Sequence, residues 1–262
     1  MKQDIVQAVE MYCEKFPAEL NTFAHTLQSA CFNGSIDGVA LSKALQETHR
    51  MRGTAHCFGY QRIGKLMKQI ESDLLEVTRK TGQERVATIT RMEKALSALQ
   101  RFQKRMTPEN SKLRTGQSVD EASLLFSADE LELLKAQRIL FCDDDAMLRI
   151  LVADIFATFN IDNYELAISG HDVVEKAVEF KPTMIVCDWQ MQPVDGLELL
   201  QMVRGNKTTI PSDTPFIFLT VSRNTHNFKN AFRDDTDVFL SKPFTAKSLL
   251  SAVLKARGRA TA

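Results

Sequence analysis

An all-α bundle followed by a doubly wound α/β domain is the fold class the sequence predicts, on three observations. Residues 1 to about 106 carry apolar side chains at three- and four-residue steps and no strand alternation. The second half instead holds four short apolar runs, Ile139 to Cys142, Met184 to Cys187, Phe216 to Leu219 and Val238 to Leu240, separated by stretches of helical period. Runs of that kind are what buried parallel strands look like. Between the two halves lie Thr107-Pro-Glu-Asn-Ser and Thr115-Gly-Gln-Ser, which are loop signals. The expected divisions are a bundle over 1–107, a linker with a short lead-in helix over 108–137, and the sheet domain over 138–262.

The first helical stripe is Ile5, Val9, Tyr12, Phe16, Leu20, Phe23 and Leu27. Pro17 falls inside it and is expected to kink or divide the helix, because proline removes an internal hydrogen bond and crowds the preceding turn. Asn33-Gly34-Ser35 reads as a stop, and Asp37 as the cap of the next helix. That helix has Leu41, Leu45, Thr48, Met51, Ala55 and Phe58 on one face. Two further stripes follow, Ile63, Met67, Ile70, Leu74 and Val77, then Val86, Ile89, Met92, Leu96, Leu99 and Phe102. Such stripes are the core faces of an antiparallel bundle. Ala128 to Lys135 has the pattern of the lead-in helix.

Each of the four apolar runs ends in a different polar group: Asp143 with Asp144, then Asp188, Thr220 and Lys242. In an open parallel sheet the ligand site lies beyond the carboxyl ends of the strands, so these groups are expected to converge. Carboxylates brought that close repel each other by roughly 1 to 4 kcal/mol per pair, which calls for a divalent cation. Oxygen ligands favour Mg²⁺. Asp188 is then the nucleophile towards phosphorus, with Lys242 holding one phosphoryl oxygen as a point charge and the Thr220 hydroxyl bonding another.

The stretches Ile139-Leu-Phe-Cys-Asp-Asp-Asp145 with Arg149, Met184-Ile-Val-Cys-Asp-Trp-Gln-Met191 with Asp195-Gly196, Phe216-Ile-Phe-Leu-Thr220 and Leu240-Ser-Lys-Pro-Phe244 stand in one order over residues 138 to about 257. They closely resemble the receiver domain of two-component response regulators, a CheY-like family. The resemblance implies a five-stranded flavodoxin-like sheet and Mg²⁺ on Asp143, Asp144, Asp188 and the Gln190 backbone carbonyl. It also implies that Asp188 is the phosphorylated residue, formed by a transfer that the receiver itself catalyses, and it allows a homodimer through the receiver. Two departures bear on rates: Gln192 stands where the family has proline, with Pro193 next, and Gln190 and Ser222 occupy the positions that tune phosphoryl lifetime. Phe239 has two readings, a packed core ring or the family's switch aromatic.

In the second helix of the bundle, Gln46, His49, Gly53 and His56 share one ridge at the margin of the core face, with Arg52 beside them. A glycine in a helix costs roughly 1 kcal/mol relative to alanine, so Gly53 one turn from His49 wants a reason. Room for another protein to approach the imidazole supplies one, and Arg52 could carry a positive charge to a phosphorylated ring. Thr48-His-Arg-Met-Arg-Gly-Thr-Ala-His-Cys-Phe-Gly59 resembles the histidine phosphotransfer (HPt) domain, a four-helix bundle. His49, Arg52, Gly53, Phe58 and Gly59 match its pattern, with arginine where lysine is usual. His56 lacks a glycine four residues later and reads as a neighbour of the site. A kinase dimerisation helix also exposes a histidine, but nothing in the chain resembles the glycine-rich boxes that bind ATP.

The resemblances together imply a phosphorelay component passing a phosphoryl group between His49 and receiver aspartates, Asp188 or those of other chains. A sensor histidine kinase and other receivers are the implied partners. A phosphorylation-gated adaptor and a phosphate sink are the alternatives. Residues 1–107 hold 16 basic and 11 acidic side chains, the linker 3 and 6, and residues 138–262 hold 14 and 16. A positive bundle would meet negative receivers faster through electrostatic steering. Five cysteines without metal-type spacing suggest reduced thiols in a cytoplasmic protein. No stretch approaches a membrane span and no basic cluster suggests nucleic acid.

Overall fold

One continuous helix, α1, runs from Lys2 to Leu27, with Pro17 inside it. In the computed structural model, which describes residues 2–32, 36–111, 125–220 and 237–260, the helix is therefore not divided as expected. Val9, Tyr12, Phe16, Leu20, Phe23 and Leu27 are all buried, and this stripe continues across the proline. Burial of that much apolar surface outweighs the single backbone bond that Pro17 removes. α1 passes into a short π-helical turn, Gln28–Phe32. The stop expected at 33–35 lies outside the described residues, as do Thr115 to Ser118 and Ser222.

The chain divides into two compact units, Val6–Gly116 and Gln117–Ala262, with Met1–Ile5 grouped with the latter. In the first, α1 is joined by α2 (Gly38–Cys57), α3 (Gln61–Val77) and α4 (Gly82–Gln103). Asp37 caps α2 as its sequence predicts, its carboxylate accepting from the Val39 and Ala40 amides at 2.9 and 3.1 Å. Tyr12 stacks on Phe58 with ring centroids 4.5 Å apart, tying α1 to the end of α2. The expected face of α4 is only partly right. Met92 and Leu99 are buried, together with Thr88 and Ala95, whereas Val86 is 64 % exposed. It sits in the first turns of the helix, before the core face is engaged.

The second unit opens with α5 (Ala128–Lys135), whose capping box pairs Ser127 with Glu130. A five-stranded parallel sheet follows in the order β2-β1-β3-β4-β5, with β1 (Ile139–Cys142), β2 (Tyr164–Ala167), β3 (Met184–Asp188), β4 (Phe216–Thr220) and β5 (Asp237–Ser241). Helices α6 (Ala146–Thr158), α7 (Gly170–Phe180), α8 (Gly196–Arg204) and α9 (Ala246–Ala260) connect or follow the strands. β1 and β3 are buried at every position, while the edge strand β2 is buried only at Ala167. No helix among the described residues is long and apolar enough to cross a membrane.

Candidate functional site

The sheet register brings the strand-end residues together. Cys142 pairs with Cys187, so Asp143 and Asp188, each the next residue along, emerge side by side. Donor oxygens of Asp143, Asp144 and Asp188 all lie within 4.8 Å of one another. Lys242, just past β5, places Nζ 2.7 Å from Asp143 Oδ2 and 3.0 Å from Asp188 Oδ2. Its backbone amide donates to the Thr220 carbonyl at 2.6 Å, which fixes the end of β4 against the start of this lysine loop. The side chain of Thr220 is half-buried at the end of β4.

Burial pushes the Asp143 carboxyl up to about 7; the Lys242 ammonium opposes that rise, and Asp188 and Asp145 add to it. A buried acid held that high is poised for a cation that would favour its ionised form. Asp145 turns away from this cluster to cap α6, accepting from the Met147 amide at 2.8 Å. Arg149 Nη1 donates to the Asp143 carbonyl at 2.6 Å and so anchors the loop from the helix side. Gly196 is required at the start of α8: a Cβ there would lie 2.5 Å from the Asp188 carbonyl oxygen. Gln190 is exposed two residues beyond Asp188.

In the helical unit, His49 Nδ1 lies 2.9 Å from Glu71 Oε1 on α3, and its side chain is 14 % exposed. Arg52 Nη1 donates to the other oxygen, Oε2. A carboxylate in this position accepts a hydrogen bond from Nδ1, and in the neutral ring that arrangement puts the lone pair on Nε2. Burial pushes the Arg52 guanidinium down and Glu71 offsets this. Gly53 is buried, which differs from the bare approach path its sequence position suggests.

His56 has a different environment. Its ring lies over Gly64 of α3, where an added Cβ would fall 2.2 Å from Nε2. Burial lowers its pKa, and Arg52, Lys65 and Lys68 lower it further. Where His49 meets a carboxylate, His56 meets cations. Sequence reading missed both Glu71 and Gly64, because they lie on a different helix from the histidines and matter only through the register of α2 against α3. Phe239 stacks on Phe218 at 5.7 Å and is half-buried, and Phe218 in turn meets Trp189 edge-on at 5.4 Å.

Comparison with known families finds one domain in each half of the chain. The Hpt domain matches residues 7–102 and the response regulator receiver domain residues 139–254. The chain thus belongs to the two-component phosphorelay proteins, an Hpt domain fused to a CheY-like receiver. Its receiver half is similar to the phosphate regulon transcriptional regulatory protein PhoB of Pseudomonas aeruginosa, 31% identical over 125 residues, 46% of this chain and 52% of that one. It is also similar to the response regulator protein VraR of Staphylococcus saprophyticus, 29% identical over 119 residues, 45% and 55% of the two chains. The chain spans about half the length of these relatives. Among solved structures, the receiver domain of Francisella response regulator 1452 is 24% identical, covering 48% of this chain and 97% of its own, with a TM-score of 0.38.

Proposed function

We propose that the chain moves a phosphoryl group between His49 and the carboxylate of Asp188 or of an equivalent residue on another chain. The observation that carries this reading is the His49–Glu71–Arg52 arrangement, in which Glu71 meets the imidazole at Nδ1 and so leaves Nε2 as the nitrogen that would act as nucleophile. In one direction Nε2 attacks phosphorus in line, and the N–P bond forms as the O–P bond to the aspartate breaks. The aspartate leaves as a carboxylate. The ring keeps its Nδ1 proton, and Glu71 faces the positive charge that develops there. In the other direction an Asp188 oxygen attacks the phosphoimidazole and Nε2 leaves with the electron pair. Positioning and charge neutralisation supply most of the rate.

The carboxylates of Asp143, Asp144 and Asp188, with the Gln190 carbonyl, are the donors that would hold Mg²⁺, and the clustering of three acids around a carboxyl raised to about 7 fits that ion. When bound, the ion neutralises charge on the phosphoryl oxygens. Lys242 now bridges Asp143 and Asp188 and would turn one contact to a phosphoryl oxygen. Thr220 stands at the end of the adjacent strand for another. Sensor histidine kinases or other receivers are the partners this chemistry requires, and a cytoplasmic setting suits them.

The test is to load the purified chain from a small-molecule phosphodonor with Mg²⁺ and map the label in wild type, His49→Ala and Asp188→Ala. Label on both residues in wild type, with none on histidine in either variant, is the expected result. Undiminished phosphoryl exchange with partner receivers in His49→Ala would overturn the relay. The packing of Phe239 on Phe218 also suits a gated adaptor, in which the receiver switches and the bundle only docks. That reading predicts label on Asp188 alone.

A further inference from the structure

The Hpt unit holds a cavity of about 520 Å³ between the start of α3 and the end of α4. Its floor is apolar, made by Ile63, Phe102 and Met106, and Arg62, Lys65 and Arg105 stand around it. The Arg62 guanidinium lies over the Phe102 ring, 4.8 Å from its centroid, so one of the three charges is already held in place. No carboxylate lines this cavity among the described residues, and none of the three cations has an ion-pair partner among them. Like charges sharing a cavity without a counter-charge repel one another, and a polyanion relieves that repulsion.

Two other cavities differ in having carboxylates in their lining. At the base of the sheet, a cavity of about 570 Å³ sets Arg138 and Lys181 against Asp213, and Arg138 Nε spends its hydrogen bond on the Lys181 carbonyl at 2.7 Å. Along α7 the lining is mainly acidic, with Glu165, Asp172, Glu175 and Glu179 around Lys176.

We propose that the α3–α4 cavity binds a phosphorylated small molecule of nucleotide size, its phosphates against Arg62, Lys65 and Arg105 and its ring on Ile63 and Met106. Guanidinium and ammonium groups are the donors that phosphate oxygens accept from most strongly, and about 300 to 1,000 Å³ is the usual size of a small-molecule site. The site is separate from the phosphoryl chemistry of His49: its residues belong to the end of the unit where α3 begins, whereas Glu71 lies ten residues further along the helix.

Isothermal titration of the full chain with ADP and GDP tests this, at low ionic strength and with EDTA so that the acidic receiver pocket carries no divalent ion and repels anions. Saturable one-site binding of at least one nucleotide is expected. Arg62→Ala with Arg105→Ala should weaken it about tenfold or more, and Lys94→Ala with Lys15→Ala, which removes the same two charges from exposed helix positions outside the cavity, should not. No saturable binding up to millimolar nucleotide, or equal weakening by the Lys94→Ala, Lys15→Ala pair, overturns the proposal. If the double variant loses helicity by circular dichroism, Lys65→Gln with Arg105→Gln gives the same reading at positions that hold no ring contact.

Discussion

His49 and Asp188, the two residues of the proposed transfer, each sit in a cluster with a carboxylate and a cation, yet the chain assembles these clusters by different routes. Around His49, three residues on two adjacent helices do the work, and the ring stays partly exposed at the margin of the bundle. Around Asp188, residues from 143 to 242 converge at strand ends, and Asp143, Asp188 and Lys242 are all buried. A helix pair places its groups by one register, so errors stay local. A sheet places them by several registers at once, and a fault in one strand displaces the whole pocket. The difference suits the proposed relay, in which the histidine would meet receivers on other surfaces and the aspartate would keep water from its phosphoryl group.

Five predictions break or sharpen this comparison. Asp188→Asn should abolish labelling of the receiver by a small-molecule phosphodonor, read by mass spectrometry of the intact chain, since the attacking oxygen is gone. Lys242→Ala leaves two buried carboxylates facing each other without their ammonium, and should destabilise the receiver by about 3 kcal/mol in urea unfolding without divalent ions. An unchanged midpoint would mean that Asp143 simply takes up a proton instead. At the other centre, Glu71→Gln keeps size but weakens the hold on the Nδ1 proton. Transfer through His49 should slow by roughly 10- to 100-fold while phosphodonor labelling of Asp188 is untouched.

Gly64→Ala drives a methyl group into the His56 ring and should cost about 1 to 3 kcal/mol of Hpt stability. Adding His56→Ala should recover most of that loss, and a cycle without such coupling would place the ring elsewhere. The smallest effect concerns pH. The pKa of His56 is lower in the folded chain than in the unfolded one, so the unfolded state binds more protons as pH falls through about 6.5. Stability is therefore lost on acidification, and His56→Gln should flatten the fall in melting temperature between neutral and mildly acidic pH by a few degrees at most.

How much of this was legible in the sequence follows from where each residue's partner lies. β1, β3 and β4 stand out as apolar runs because neighbours cover both faces, and the strand-end acids, threonine and lysine stand out with them. β2 gives no such run, since an edge strand alternates between the core and water, and only resemblance to the receiver family supplied a fifth strand. Asp37 was legible because a cap is a local bond. Glu71 was not, because the apolar stripe of α3 shows which face is buried without showing which residue of α2 it opposes. Of the two effects expected at Pro17, a kink or a division, the helix shows no division, because burial of the surrounding stripe outweighs the local propensity to break.

The chain has one tryptophan, and it is the residue after Asp188. Its amide donates to Asp188 Oδ1 at 2.8 Å and its indole rests edge-on against Phe218. Emission excited at the red edge of the protein spectrum therefore comes from the receiver pocket and from nowhere in the Hpt half. Occupancy of the acidic pocket and events at the histidine can then be followed in the same cuvette, the first by light and the second by label, with no dye attached to either.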